Sequence, residues 1–229
     1  MYVAIDGADK TGKSSIIKIL KDEELVDKII ANHGNRNRVH GDSIFTKQPG
    51  DPTVDVCVKF RDIVLNPNYN IADFSTEMVF VADMYENMSR TILPYMNSNV
   101  IITDRGLMTH YAYVYARNLL TEFMGQAYYK ASQGILPNVT FIIRSTEEAI
   151  KSRNPEKEFG DKIDAVERKG IEFQKRVTDY FDYIVAASKV GQYVLPGTDV
   201  NYTHVIPIDN NGDIRDAVNE ILHHIERLY

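Results

Sequence analysis

The sequence holds no tryptophan and a single cysteine, Cys57, among 229 residues. One cysteine excludes an intrachain disulfide and any cysteine-rich metal site. Its setting, TVDVCVKF, is that of a small core residue. No apolar run approaches the ~20 residues that a membrane-spanning helix needs. Positive charge is not in excess either. Lys and Arg number 26 against 32 Asp and Glu, a net charge of −6, so no global basic field points to nucleic acid. The chain shows no internal repeat. Its first apolar stretch is a few residues long and runs straight into a glycine-punctuated loop, unlike a signal peptide. These absences lead us to expect a cytosolic protein with neither membrane nor nucleic-acid partner. Asn138-Val139-Thr140 and Asn201-Tyr202-Thr203 match the glycosylation pattern but lack the secretory context it requires. The remaining composition, 44% hydrophobic and 25% charged, is ordinary for a globular chain, and the length suits one α/β domain over 1–229.

The start of the chain carries the strongest signal. Tyr2 to Ile5 reads as a buried strand. Gly7-Ala8-Asp9-Lys10-Thr11-Gly12-Lys13-Ser14 then fits G-x-x-x-x-G-K-S/T, and IIKIL continues as a helix. Strand, loop and helix N-terminus in this order make an anion cradle. Backbone N–H groups point at a phosphate, and the helix dipole favours negative charge there. Lys13 would reach the β- and γ-phosphates of a nucleoside triphosphate, and the Ser14 hydroxyl would ligate Mg²⁺.

Further along, residues 14 to about 30 read as one helix, disturbed in character by Asp22-Glu23-Glu24. A short strand is expected over 42–46, then a turn cluster at 47–53, and helices over 53–65 and 74–93. NVIIT, at 99–103, reads as a strand delivering Asp104-Arg105 at its carboxyl end, where ligands bind in open α/β sheets. A second long helix is expected over 109–129, a core strand over 139–143, and a mobile charged segment over 151–162. A helix over 164–183, a strand over 204–208 and a helix over 213–228 complete the chain. Alternating strands and helices imply a parallel sheet covered on both faces.

The ordered set GADKTGKSS, TKQPG, MVFVADMY, TDRGLMTHYAY, PNVTFII and DAVERKGIEFQKRVTDY resembles the thymidylate kinase family over nearly the whole chain, as a divergent member. The resemblance implies a P-loop NTPase fold: a five-stranded parallel sheet flanked by helices, with a small lid at about 151–163. It also implies transfer of the ATP γ-phosphate, with Mg²⁺, to a deoxynucleoside monophosphate, dTMP foremost, in a homodimer. Gly7, Gly12, Lys13, Ser14 and Ser15 would then hold ATP phosphates, and Asp209 and Asn210 would lie by the adenine. Asp9 would hold the acceptor sugar or organise the contact between the two substrates; a helix N-cap is the plainer role. Lys10 stands where part of the family has an Arg that touches the transferred phosphate. Arg105 would grip the acceptor phosphate and Asp104 would organise Mg²⁺ through water, unless the two form a local salt bridge. Lys47, beside Pro49, either contacts the acceptor phosphate or faces solvent. Phe80 would stack on the base, or belong to the core. Tyr113 would exclude a 2′-hydroxyl, with Thr109 and His110 near the base.

Lys47 and Gln48 stand where the family has Arg and Glu, and two further positions depart from the family pattern. Met84 replaces an Arg that hydrogen-bonds thymine, which predicts looser base selection, with Asp83, Glu86 or Asn87 as alternative readers of a base edge. Ala165 replaces the lid Arg ahead of Glu167, leaving Arg144, Lys151, Arg153, Lys157 or Lys162 as substitutes. A deoxynucleoside kinase and a regulatory ATPase are the competing readings. The placing of Arg105 and Lys47 favours an acceptor that already carries phosphate.

Overall fold

A computed structural model of the chain describes residues 1–33, 41–153 and 169–228. Among these, β1 (Tyr2–Asp6), β2 (Ile44–Lys47), β3 (Ile101–Asp104), β4 (Val139–Arg144) and β5 (Val205–Asp209) form one sheet in the order β2-β3-β1-β4-β5. Every pairing is parallel, with Tyr2 opposite Ile101 and Val3 opposite Val139. The expected sheet is present.

The sheet separates two apolar cores, because side chains alternate across a strand. On one face Val3, Ile5, Ile102, Phe141 and Ile143 pack with Ile16 and Leu20 of α1 (Lys13–Asp22), Val26 of α2 (Leu25–His33) and Ile221 and Ile225 of α10 (Ile214–Leu228). On the other face Tyr2, Ile101 and Ile142 meet α4 (Asp73–Asn87), α6 (Leu107–Ala116), α7 (Glu122–Ala131) and α9 (Gly170–Lys189). β1 is buried along its length, as a central parallel strand covered on both faces must be. The remaining helices are α3 (Asp55–Leu65), α5 (Leu93–Tyr95) and α8 (Glu147–Arg153). Cys57 is buried on α3.

Three expected helices are divided or extended. The run after the phosphate loop breaks into α1 and α2 at Glu23-Glu24, where Glu24 takes φ 50°. The tyrosine-rich helix breaks into α6 and α7: Asn118 takes φ 59°, and Thr121 caps α7 by accepting the Met124 N–H. α4 passes through a π turn at Met88–Ile92 into α5, so the helix continues through Pro94, where its end was expected. The lid at 151–163 lies, from residue 154, outside the described residues, as do Ala165, Glu167, Lys157 and Lys162.

β2 and β3 lie on one side of β1, and β4 and β5 lie on the other, so the crossovers switch sides between β3 and β4. The crevice at the carboxyl ends of the strands is where this topology places ligands. The loops after β1, β2 and β3 all open there.

Candidate active site

The cradle begins at Asp6, the buried end of β1. Its carboxylate accepts the Gly106 N–H at 2.7 Å and the Thr109 hydroxyl, which ties the end of β1 to the start of α6. Gly7 is required: φ is 138°, and a Cβ would lie 2.4 Å from the Ile143 carbonyl oxygen. Lys10 (φ 66°) and Gly12 (φ 96°) curl the loop over the first turn of α1, whose leading N–H groups have no helical partner. Ser14 and Ser15 stand exposed on that turn. The Lys13 ammonium folds back to donate to the Ala8 carbonyl, and burial, helped by Arg105, lowers its pKa to about 7.

Arg105 follows β3 in a left-handed conformation, φ 72°, which turns its side chain toward the loop. It meets Asp9 at 2.5 Å and Tyr113 Oη at 3.4 Å, with the guanidinium 5.6 Å from the Tyr113 ring centre. Burial alone would raise the Asp9 pKa, but Arg105 and Lys13 hold it at about 2. Burial also works against the Arg105 charge, yet Tyr113, Asp9 and Asp104 raise its pKa above the ordinary value. Asp104 is paired with Lys47 at 3.7 Å and Arg105 with Asp9, so the alternative of a local salt bridge between Asp104 and Arg105 is not what the structure shows. Lys47 is thereby turned toward the crevice.

The turn carrying Lys47 rests on a buried polar cluster. Asp51 accepts from Thr46 (2.6 Å), Thr91 (2.8 Å) and Asn87 (2.8 Å), and Asn87 accepts from Gln48 (2.7 Å). The Gln48–Pro49 bond is cis, and the Asp83 carboxylate accepts the Gly50 N–H. Burial pushes the Asp83 carboxyl up to about 7. Asp83 and Asn87 therefore hold this turn and do not face a base, and Glu86 pairs with Arg90 on the surface.

A cavity of about 520 Å³ runs from the cradle to the aromatic side chains. Asp9, Lys10, Gly12, Lys13, Ser14 and Ser15 form one end. Lys47, Pro49 and Arg105 follow, and Phe80, Thr109, His110 and Tyr113 line the far part. Phe80, 7% exposed, belongs to the core and to the cavity wall at once. Tyr113 is held edge-on to Phe173 at 5.9 Å. Thr109 is spoken for by Asp6.

Met84 departs from its expected place. It is 1% exposed, packed in the core that contains Phe80, Met88 and Tyr128, and is not a lining residue. Asp209 and Asn210 also lie off the cavity lining. Asp209 pairs with Arg144 at 2.8 Å, and Asn210 donates to the Thr11 carbonyl at 2.9 Å, bracing the phosphate loop from behind. Lys151, another of the expected substitute cations, pairs with Glu147 on the surface. Sequence reading missed Arg61, Glu77 and Gln174. Arg61 and Glu77 line the cavity, and Gln174 donates to Asp9 at 3.1 Å. Glu77 is buried with Arg117 at 2.7 Å and accepts from Tyr128. No motif marked Glu77, which is one of several buried polar residues of α4 together with Thr76, Asp83 and Asn87.

Among the described residues no group of three or more His, Cys, Asp or Glu forms a metal cage. Mg²⁺ bound through substrate phosphates does not need one, because one or two protein oxygens with phosphates and water suffice. The exposed Ser14 hydroxyl at the cradle and the Asp104 carboxylate at the end of β3 are hard oxygen donors of the fitting kind.

This fold and site define a nucleotide-binding phosphotransferase of the P-loop type. The pattern of the thymidylate kinase family matches residues 5–198. The chain is 30% identical over 182 residues to the thymidylate kinase of Sulfurimonas denitrificans, covering 78% of this chain and 82% of that protein. It is 24% identical over 188 residues to that of Mycoplasmopsis agalactiae, covering 81% of each. The thymidylate kinase structure from Candida albicans superposes with a TM-score of 0.66 at 19% identity, over 99% of this chain and 91% of that one. The chain belongs to the thymidylate kinase family, and it is an ATP-dependent nucleoside monophosphate kinase.

Proposed function

We propose that the chain transfers the γ-phosphoryl group of ATP to dTMP, giving ADP and dTDP. One observation carries this reading: a single cavity joins the phosphate cradle to an aromatic compartment, with Arg105 between them. An acceptor seated against Phe80 and Tyr113 presents its phosphate to Arg105 and Lys47, opposite a triphosphate in the cradle. An acceptor phosphate oxygen forms the new bond to the γ-phosphorus. The bond to the β,γ-bridging oxygen breaks, and its electron pair leaves with ADP. Such transfers depend on positioning and on charge neutralisation more than on covalent help. Lys13 and the α1 N-terminus hold the donor phosphates, while Arg105, released from Asp9, holds the acceptor. Ser14 and Asp104 would hold Mg²⁺, which when bound neutralises charge on the β- and γ-phosphates. Tyr113, braced by Phe173 and Arg105, crowds the sugar and disfavours a 2′-hydroxyl.

The test is a coupled ADP-release assay with ATP against each deoxynucleoside monophosphate, each ribonucleotide and each nucleoside. Turnover with dTMP and not with thymidine is expected. Turnover with thymidine alone would make it a nucleoside kinase, and ADP release without any acceptor a regulatory ATPase. The family likeness also supports a homodimer and a cytosolic location, the first tested by sedimentation.

A further inference from the structure

The far part of the cavity receives no side chain from position 84, since Met84 is in the core. Another polar side chain stands at that end. His110 lines the cavity, 3% exposed, with its ring stacked on Tyr128 at 4.8 Å and tilted against Phe80 at 6.3 Å. Tyr128 is fixed in turn: its hydroxyl donates to Glu77, which Arg117 holds at 2.7 Å. The imidazole is therefore held rigidly as a plane. Yet Nε2 is buried and, among the described residues, has no hydrogen-bond partner. A histidine tautomer is ordinarily set by the bond that its second nitrogen makes within the protein. Among the described residues no such bond sets it here.

We propose that His110 reads the acceptor base, and that its unset tautomer lets it serve both thymine and cytosine. This rests on the monophosphate kinase reading. Thymine adds a 5-methyl group, and N3 donates in thymine and accepts in cytosine; at the adjacent position 4, thymine carries a carbonyl acceptor, O4, where cytosine carries an amino donor, N4. A neutral imidazole offers an N–H to the first or a lone pair to the second, depending on which nitrogen holds the proton. Burial, with Arg105 and Arg117 nearby, lowers the His110 pKa to about 3, so the ring stays neutral over the working range. A site built on one fixed donor rejects the base that offers it another donor, because a buried group is left unpaired. A ring that exchanges tautomers avoids that rejection. Glu77 and Tyr128 act here as positioning residues.

The test compares kcat/KM for dTMP and dCMP in the natural protein and in His110→Phe, which keeps an aromatic ring on Tyr128 and removes both nitrogens. We expect the natural protein to use the two substrates within about tenfold of each other. We expect His110→Phe to lose at least about tenfold on both through KM, with KM for ATP unchanged. A natural preference for dTMP above about a hundredfold, or a folded His110→Phe variant with unaltered KM for both acceptors, overturns the proposal. Independently of any variant, ¹⁵N NMR of the imidazole should show opposite tautomers in the dTMP and dCMP complexes, and one tautomer in both overturns it. If no monophosphate is phosphorylated at all, the kinase reading fails first, and the assay separates that outcome from this one.

Discussion

Arg105 and Asp9 meet at 2.5 Å across the mouth of the crevice, one from the end of β3 and the other from the phosphate loop after β1. Gln174 of α9 donates to the second Asp9 oxygen at 3.1 Å, so the pair also joins the helix that follows the charged segment. The side chains are 19% and 25% exposed, enough for a phosphate to reach the guanidinium. The carboxylate keeps the guanidinium extended and aimed until an anion competes for it. Under the proposed reading, the acceptor phosphate would replace that carboxylate with a bidentate charge-assisted contact.

Removing the cradle cation is the most direct test of the donor side. Lys13→Ala should lower kcat by about a hundredfold or more, the scale for losing one preorganised group that stabilises transition-state charge. The melting temperature should hold or rise, because Lys13 is 5% exposed and its burial already disfavours the charge. Near-natural turnover would remove this lysine from the reaction.

For Arg105→Ala the two substrates should separate. KM for the monophosphate should rise by at least about tenfold, while KM for ATP moves little, since a bidentate Arg–phosphate contact is lost on the acceptor side alone. Equal rises in a steady-state titration of both substrates would assign Arg105 to the donor or to the scaffold.

Asp83 makes stability depend on pH in a definite direction. Its folded pKa is about 7, against an ordinary value near 4, so the folded state binds the proton more tightly than the unfolded state. The stabilisation from that proton is present in acid and is lost as pH rises from about 4 to about 7. Asp83→Asn keeps an acceptor for the Gly50 N–H and removes the titration. Urea midpoints of this variant should vary less between pH 4 and 7 than those of the natural protein, and should exceed them at pH 8. Parallel profiles would contradict the assignment.

Restoring the family residue at position 84 should not restore thymine selection. Met84→Arg places a guanidinium in an apolar core position that is 1% exposed, packed among hydrophobic side chains. Burying an unpaired charge costs several kcal/mol, on the order of the largest single-residue effects. A large drop in melting temperature is the expected result. A stable variant with sharpened dTMP preference would show that this side chain reaches the cavity after all.

The phosphate half of the site was legible in the residues because it acts through the local backbone. Gly7, Gly12, Lys13 and Ser14 are defined by spacing along a strand, a loop and a helix, and the ordered strands placed Asp104 and Arg105 beside them. The family resemblance marked Phe80, Tyr113 and His110 for the acceptor. It did not reveal which of these have internal partners. Thr109 is taken by Asp6 and Lys47 by Asp104, pairings between elements that lie far apart in the chain. Glu77 and Arg61 entered the cavity wall without any motif to announce them. Met84 shows the limit most clearly. It lies one helical turn from Phe80, a spacing that puts both on nearly the same face. Phe80 reaches the cavity and Met84 does not. Periodicity determines which face of α4 turns inward. Only the packing of α6 and α7 against that face decides which inward residue meets solvent-filled space and which meets other side chains.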